Sequence, residues 1–216
     1  MGRKIAVIGL GMFGASLAES LYEHGNEVLA VDIEKDVVQK AQDRCTRAVI
    51  ADATDKDTLA ELGLVEMDVV VIGLGAPLDR SILATLYLKE MGVKDIWAKA
   101  VSDEHGKILK ILGATRVIHP EKDMARKLAA TLSTPMMMDQ LDLAEGYSII
   151  EITCPPSFTG KSIMDLQLRN KYSLLIVAIK KPGEDEPIML PTPDYVLRSG
   201  DMMVVMGAQE NLEKIF

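Results

Sequence analysis

The sequence predicts an α/β fold, a doubly wound parallel sheet wrapped by helices, followed by a smaller α+β C-terminal domain. Three observations carry this reading. From Lys4 to Ile118, short apolar runs alternate with amphipathic stretches at helical spacing, the pattern of a parallel sheet covered on both faces. A glycine-rich turn, Gly9-Leu10-Gly11-Met12-Phe13-Gly14, directly follows the first of those runs. From about Asp139 the alternation stops, and strand-like runs are separated by Pro/Gly-rich turns such as Pro155-Pro156 and Pro182-Gly183-Glu184-Asp185.

The elements follow in order. Strands are expected at Lys4–Ile8, Glu27–Val31, Ala48–Ala51, Asp68–Ile72, Asp95–Ala98 and Arg116–Ile118. Helices are expected at Ser16–His24, Val37–Asp43, Lys56–Leu62, Asp79–Met91 and Glu104–Leu112. Gly25, Gly63, Gly92 and Gly113 stand where a left-handed cap would end four of these helices. Six strands in this order make a complete Rossmann-like domain. His119-Pro120 then starts a further helix, because proline suits a first helical turn and the residue before it does not continue one. This helix runs to about Ser133, with Met124, Leu128 and Leu132 in a stripe four residues apart. The stripe either packs on its own domain or docks on a second subunit. Thr134-Pro135 ends the helix, and Met136-Met137-Met138 adds adaptable apolar surface. Domains are therefore expected at 1–134 and 135–216, the second with strands Tyr147–Thr153, Leu174–Lys180 and Met202–Met206 and short helices at Ser162–Leu168 and Glu210–Ile215. No internal repeat stands out.

Composition excludes several classes. Hydrophobic residues make up 48% of the 216, enough for a packed core. A formal net charge of −8 argues against a general nucleic-acid binder, which needs a basic face. No apolar run approaches the ~18 residues of a membrane span. The opening Met1-Gly2-Arg3-Lys4 lacks the features of a signal peptide, and Ala6 stands where a myristoylation motif needs Ser or Thr. A cytoplasmic chain is expected. Cys45 and Cys154 belong to no CxxC pattern and read as reduced structural thiols, with no zinc site.

The chemistry concentrates in the glycine turn. Spaced glycines between a strand and a helix let main-chain N–H groups meet a pyrophosphate at the positive end of that helix. Asp32 ends the second strand, 18 residues past Gly14, where an acid accepts hydrogen bonds from ribose hydroxyls. The plainer alternative is a tight turn with no ligand. Catalytic groups are scarce. The three histidines are His24, His105 and His119, none in the second domain, and His24 reads as a cap at a helix end. Asp52 and Asp55 read as loop acceptors and Glu184/Asp185 as a solvated turn. A small NAD-dependent oxidoreductase or redox sensor is the rival reading, and it lacks an acid or base beside the nicotinamide.

Several segments resemble the regulator-of-conductance-of-potassium (RCK) family, in its cytosolic Ktr/Trk potassium-uptake type. They are Ala6–Gly11 with Phe13-Gly14, Glu27–Asp32, Ala51–Thr54, Ile96–Ala100, Ile118–Met124 and Lys161–Leu166 with Arg169. The resemblance runs from residue 3 to the C-terminus. It implies a non-enzymatic regulatory subunit that forms dimers and an octameric ring beneath a membrane potassium translocator, peripheral to the inner face of the membrane. ATP/ADP exchange, or NAD(H) or AMP, would reshape that ring. On this sequence it implies phosphate contacts from Gly9, Gly11, Met12, Phe13 and Gly14, ribose contacts from Asp32, and adenine-side contacts from Asp52, Ala53 and Thr54. Gly75 and Ala76 would close over the ligand, and Lys99 would face the phosphates. Glu121 would hold a divalent cation near the nucleotide between subunits, and a single carboxylate completed by the neighbouring chain and phosphate suits Mg²⁺, which keeps much of its water. Ile163, Met164 and Arg169 fall where the Ktr branch contacts cyclic di-AMP. Many Ktr-type members carry an arginine where this chain has Met12. The expectation is therefore weakened discrimination of ATP from ADP, or a shift towards NAD(H) or AMP, with Arg80 a compensating cation.

Overall fold

The computed structural model describes residues 2–133 and 137–215. Two compact units divide at Glu121/Lys122.

In the first unit, strands β1 (Lys4–Ile8), β2 (Glu27–Asp32), β3 (Arg47–Ile50), β4 (Val69–Ile72), β5 (Ile96–Lys99) and β6 (Arg116–Ile118) form one parallel sheet. Its order is β3-β2-β1-β4-β5-β6. The chain starts in the middle of the sheet, winds to one edge, then returns across β1 to the other. Every expected strand is present within a residue of its expected ends. Alternation along β1 sends Ile5 and Val7 into one apolar cluster and Ala6 and Ile8 into another, so the strand is buried on both faces. β4 repeats this with Val69 and Val71 against Val70 and Ile72. Burying each of these valines and isoleucines contributes about 1.5–3 kcal/mol, and the paired clusters hold the sheet between its helix layers.

The helices are α1 (Met12–Glu23), α2 (Lys35–Ala41), α3 (Lys56–Glu61), α4 (Leu78–Glu90), α5 (Asp103–Leu112) and α6 (Pro120–Ser133). α1 begins four residues before the expected Ser16, because helical geometry starts inside the glycine turn. Asp55 caps α3 by accepting from the Asp57 and Thr58 N–H groups, and Ser102 caps α5 through the His105 N–H. Gly25, Gly63, Gly92 and Gly113 all adopt positive φ, as a left-handed helix end requires. His24 Nδ1 lies 2.6 Å from the Ser20 carbonyl, the capping role expected of it. Cys45 and Cys154 are free and buried.

In the second unit the sheet is antiparallel, in the order β10-β9-β11-β8-β7. The strands are β7 (Met137–Ala144), β8 (Tyr147–Thr153), β9 (Leu175–Lys180), β10 (Ile188–Met189) and β11 (Met202–Ala208). β7 and β10 are additions to the expected set. β7 pairs with β8 and begins inside the methionine run, so Met137 and Met138 contribute backbone to a sheet edge. Met136, like Thr134-Pro135, lies outside the described residues. The expected helix at Ser162–Leu168 is instead two short ones, α7 (Ile163–Leu166) and α8 (Leu168–Tyr172), broken at Gln167 with φ 49°. The last helix is likewise short, α9 (Gln209–Leu212), and continues as a 3-10 turn over Glu213–Ile215. Ile150, Ile152, Leu174, Ile179, Leu197, Met203 and Val205 form the core of this unit.

Candidate functional site

Strand order reverses between β1 and β4, and the crevice at their carboxyl ends is where ligands bind in doubly wound sheets. Two turns meet there. Ile8-Gly9-Leu10-Gly11 follows β1, and the identical tetrapeptide Ile72-Gly73-Leu74-Gly75 follows β4. The repeat is legible in the sequence, but its meeting at one crevice follows from the strand order. The Gly73 N–H donates to the Ile8 carbonyl at 2.7 Å, and the Gly9 N–H to the Val31 carbonyl at 2.7 Å.

The three glycines of the first turn are required for different reasons. Gly9 has φ +90°, a conformation that side chains disfavour. A β-carbon on Gly14 would lie 1.9 Å from the Gly9 carbonyl oxygen, so only glycine lets α1 start against β1. Gly11 has neither constraint. Its φ is −60° and a β-carbon there would meet nothing within 4 Å. It precedes α1, whose first turn has no acidic side chain and no side-chain cap. The N–H groups of that turn have no acceptor within their own helix.

Asp32 braces the turn. Its Oδ2 accepts from the Leu10 N–H at 2.6 Å, and its Oδ1 from the Glu34 N–H at 2.9 Å. Each oxygen retains acceptor capacity for a ribose hydroxyl. Beside it, a cavity of about 140 Å³ is lined by Gly9, Asp32, Asp52, Thr54, Leu74 and Arg80, among others. Asp52 Oδ1 accepts from the Thr54 N–H at 2.9 Å and from the Thr54 hydroxyl at 2.7 Å. These two bonds, backbone first, hold its carboxyl below the usual range, and the Arg80 charge adds to them. Ala53 also borders the cavity but is 7% exposed, with its methyl in the core. Its contribution is therefore limited to backbone. Gly75 and Ala76 follow in the β4–α4 turn. Gly75 has open space where a side chain would stand, and Ala76 is exposed.

Met12 is 92% exposed and brings no charge to the turn. Phe13 packs beside the β1 core, and the Lys99 ammonium lies 5.8 Å from the centre of its ring. Lys99 ends β5, is 13% exposed, and pairs with Glu121 Oε1 at 2.5 Å. That hydrogen bond is the largest cause holding the Glu121 carboxyl below its ordinary value. The donor set at Glu121 is one carboxylate already held by an ammonium. Among the described residues, no group of three or more His, Cys, Asp or Glu side chains could hold a metal. Within one chain the fit to a divalent ion is poor, since such ions take several oxygen ligands.

His105 is 1% exposed. Its Nδ1 accepts from the Val101 N–H at 3.3 Å and its Nε2 lies 3.1 Å from the Ser81 hydroxyl, which in turn donates to the Leu78 carbonyl. This pattern assigns the proton to Nε2 and makes His105 a neutral structural group that ties α5 to α4. Burial lowers its pKa, with His119 a smaller cause.

In the second unit, Ile163, Met164 and Arg169 lie on α7 and α8. The Ile163 and Met164 N–H groups donate to the carbonyls of Tyr195 and Pro193, and Met164 and Arg169 are exposed. The structure thus places the glycine turn, Asp32, Asp52, Thr54 and Arg80 around one crevice. Lys99 and Glu121 form a separate pair at the Phe13 side.

A doubly wound domain with a glycine turn and an acid after β2, followed by a second, antiparallel unit, defines a two-part Rossmann-like class of protein. The comparisons with known proteins agree. The TrkA-N domain model matches residues 5–120 and the TrkA-C domain model residues 143–216, and the chain belongs to this TrkA family. It is 41% identical to the Ktr system potassium uptake protein A of Bacillus subtilis (strain 168), over 98% of this chain and 95% of that one. It is 39% identical to the Ktr system potassium uptake protein C of the same organism, over 99% and 96%. Among solved structures, the GsuK RCK domain matches with a TM-score of 0.66 at 20% identity, covering 99% of this chain and 46% of that one. A GsuK channel bound to NAD matches with a TM-score of 0.54 at 23% identity, covering 98% and 37%. These last two are likenesses of fold.

Proposed function

We propose that this chain is the nucleotide-binding regulatory subunit of a potassium uptake system, acting on a membrane translocator that it does not itself contain. Near-complete overlap with the two Ktr system proteins supports the system. No helix among the described residues is long and apolar enough to cross a membrane, and the proposal gives the pore to a partner. We place the chain at the cytoplasmic side of that partner, as a dimer-based, octameric ring. Exposure of Met124, Leu128 and Leu132 on α6 supports the docking reading of that stripe. We keep 1–134 and 135–216 as the functional domains, with α6 assigned to the first.

The observation that carries nucleotide binding is Gly11. Gly9 and Gly14 are explained by the fold alone, but Gly11 has an ordinary φ and empty space around it. As the N-cap of α1, this position would serve the fold as well or better with Ser, Thr, Asp or Asn, and the missing side chain leaves room for a ligand to approach the backbone. The phosphates would meet the N–H groups of α1 from Met12, Phe13 and Gly14, as anions do at helix N-termini. Asp32 would take the ribose, Asp52–Thr54 the adenine side, and Gly75-Ala76 would cover the ligand. Lys99 would turn towards the phosphates. The ligand is an adenine nucleotide (ATP, ADP or AMP) or NAD(H), and GsuK structures with NAD and with ADP bear the same fold.

A divalent cation, Mg²⁺ for preference, would engage Glu121 only with donors from the nucleotide or a neighbouring subunit. Cyclic di-AMP is the proposed ligand of Ile163, Met164 and Arg169, on the strength of the family resemblance. Nucleotide exchange would act by population shift, a ligand gating only as far as it binds one ring shape better than another.

The test is Gly11→Ala. The empty space around it predicts a stability change of about 1 kcal/mol or less, together with at least about tenfold weaker ADP binding by calorimetry. Wild-type affinity in that variant would remove the argument.

A further inference from the structure

The second unit holds a cavity of about 550 Å³, within the size range of small-ligand sites, to which the reading above gives no role. Lys161, Lys171 and Lys214 line it, with Phe158 and Tyr172 as apolar wall. None of Ile163, Met164 and Arg169 lines it, so it lies on another face of the α7–α8 segment from that set.

The three lysines come from separate places in the chain: the approach to α7, α8 itself, and the turn after α9. Their convergence is therefore produced by tertiary structure and is not a solvated run along one helix. No ion pair among the described residues involves any of them. Lys214 donates only to the neutral Asn211 Oδ1, at 2.7 Å. Among the described lining residues the one carboxylate is Asp165, whose Oδ2 is committed to α7. It accepts there from the Ser162 N–H at 3.2 Å and the Ser162 hydroxyl at 2.6 Å. In a chain of net charge −8, three lysines against the single Asp165 carboxylate leave this concavity with a local excess of positive charge, which favours an anion.

We infer that this cavity binds a phosphate-bearing ligand, the Lys161, Lys171 and Lys214 ammonium groups clasping the phosphate and the Phe158–Tyr172 wall taking an apolar or ring-shaped remainder. Ammonium groups suit phosphate because each carries three rotatable donors and a full charge. The phosphate can belong to a free metabolite or to a phospholipid headgroup, and the two sources are separable.

The test is acetylation footprinting of the full-length chain by mass spectrometry, with inorganic pyrophosphate as one probe. Vesicles of phosphatidylglycerol, against phosphatidylcholine, are the other. With a probe at ten times its dissociation constant, acetylation of Lys161, Lys171 and Lys214 slows together by about tenfold, while Lys107 and Lys110 on α5 are unchanged. Protection by pyrophosphate assigns a free ligand, and protection by phosphatidylglycerol vesicles alone assigns a lipid headgroup. The double variant Lys161→Gln/Lys171→Gln weakens pyrophosphate protection of Lys214 by about tenfold, and the Lys161→Arg/Lys171→Arg variant retains it. The proposal is overturned if neither probe slows the three lysines, or if sodium chloride at matched ionic strength slows them equally. It is also overturned if the Gln variant binds like the wild type. Lys99, read in the same spectra, reports on the first-unit site separately.

Discussion

At the scale of single residues, identical letters in a motif have different physical reasons. Gly14→Ala forces a methyl to within 1.9 Å of the Gly9 carbonyl. It should destabilise the protein by about 3 kcal/mol, visible as a lower Tm without any ligand, whereas Gly11→Ala leaves the ligand-free Tm nearly unchanged. In the proposed arrangement Met12 brings no cation from α1 to a terminal phosphate, and Arg80 is the cation that lines the crevice with Asp52. ATP should therefore bind less than about tenfold tighter than ADP, and Arg80→Ala should reduce that ratio further. An ATP preference above tenfold that survives Arg80→Ala would show that neither residue sets it. The glycines, Asp32, Asp52 and Lys99 were all legible in the sequence as candidates. Their division of labour was not, because a motif states residue type while the clash at Gly14 and the space at Gly11 depend on which atoms lie across the turn.

At the scale of elements, two features invite measurement. His105 sits neutral between α4 and α5, and burial lowers its pKa below the ordinary value of 6.5. The unfolded chain takes up this proton at a higher pH than the folded one. The contribution is thus intact above about pH 6.5 and is lost as pH falls from there through the folded pKa. Thermal denaturation between pH 7.5 and 5 should show a steeper fall in Tm for the wild type than for His105→Gln. The second feature is α6. Its limits followed directly from Pro120 and the residue pattern, yet its exposed stripe says that its packing partner is not supplied by the surroundings described. Leu128→Glu should shift the mass measured by light scattering towards smaller species while leaving far-UV circular dichroism unchanged. In the second unit, β10 is too short to signal itself. β7 was hidden because three consecutive methionines and an acidic run show neither β-branching nor clean alternation.

At the scale of the whole molecule, stabilisation by ligand is the simplest readout of function. ADP at about 100 times its dissociation constant should stabilise the chain by about 2.7 kcal/mol, read as a rise in Tm that Asp32→Ala abolishes. Stabilisation by NADH and by no other nucleotide would instead return attention to redox sensing. The relatives are potassium uptake proteins, which supports the regulatory role proposed for this chain.

By itself the sequence determined the doubly wound first half, its six strands, the glycine caps and the acid after β2. These are set by local periodicity and backbone conformation, which neighbouring residues fully specify. Only the tertiary structure decided what came together. The two Ile-Gly-Leu-Gly turns meet across β1 and β4, Glu121 is held by Lys99, and three lysines distant in the chain share one cavity. Such contacts depend on strand order and helix placement, which are properties of the packed core and not of any one segment.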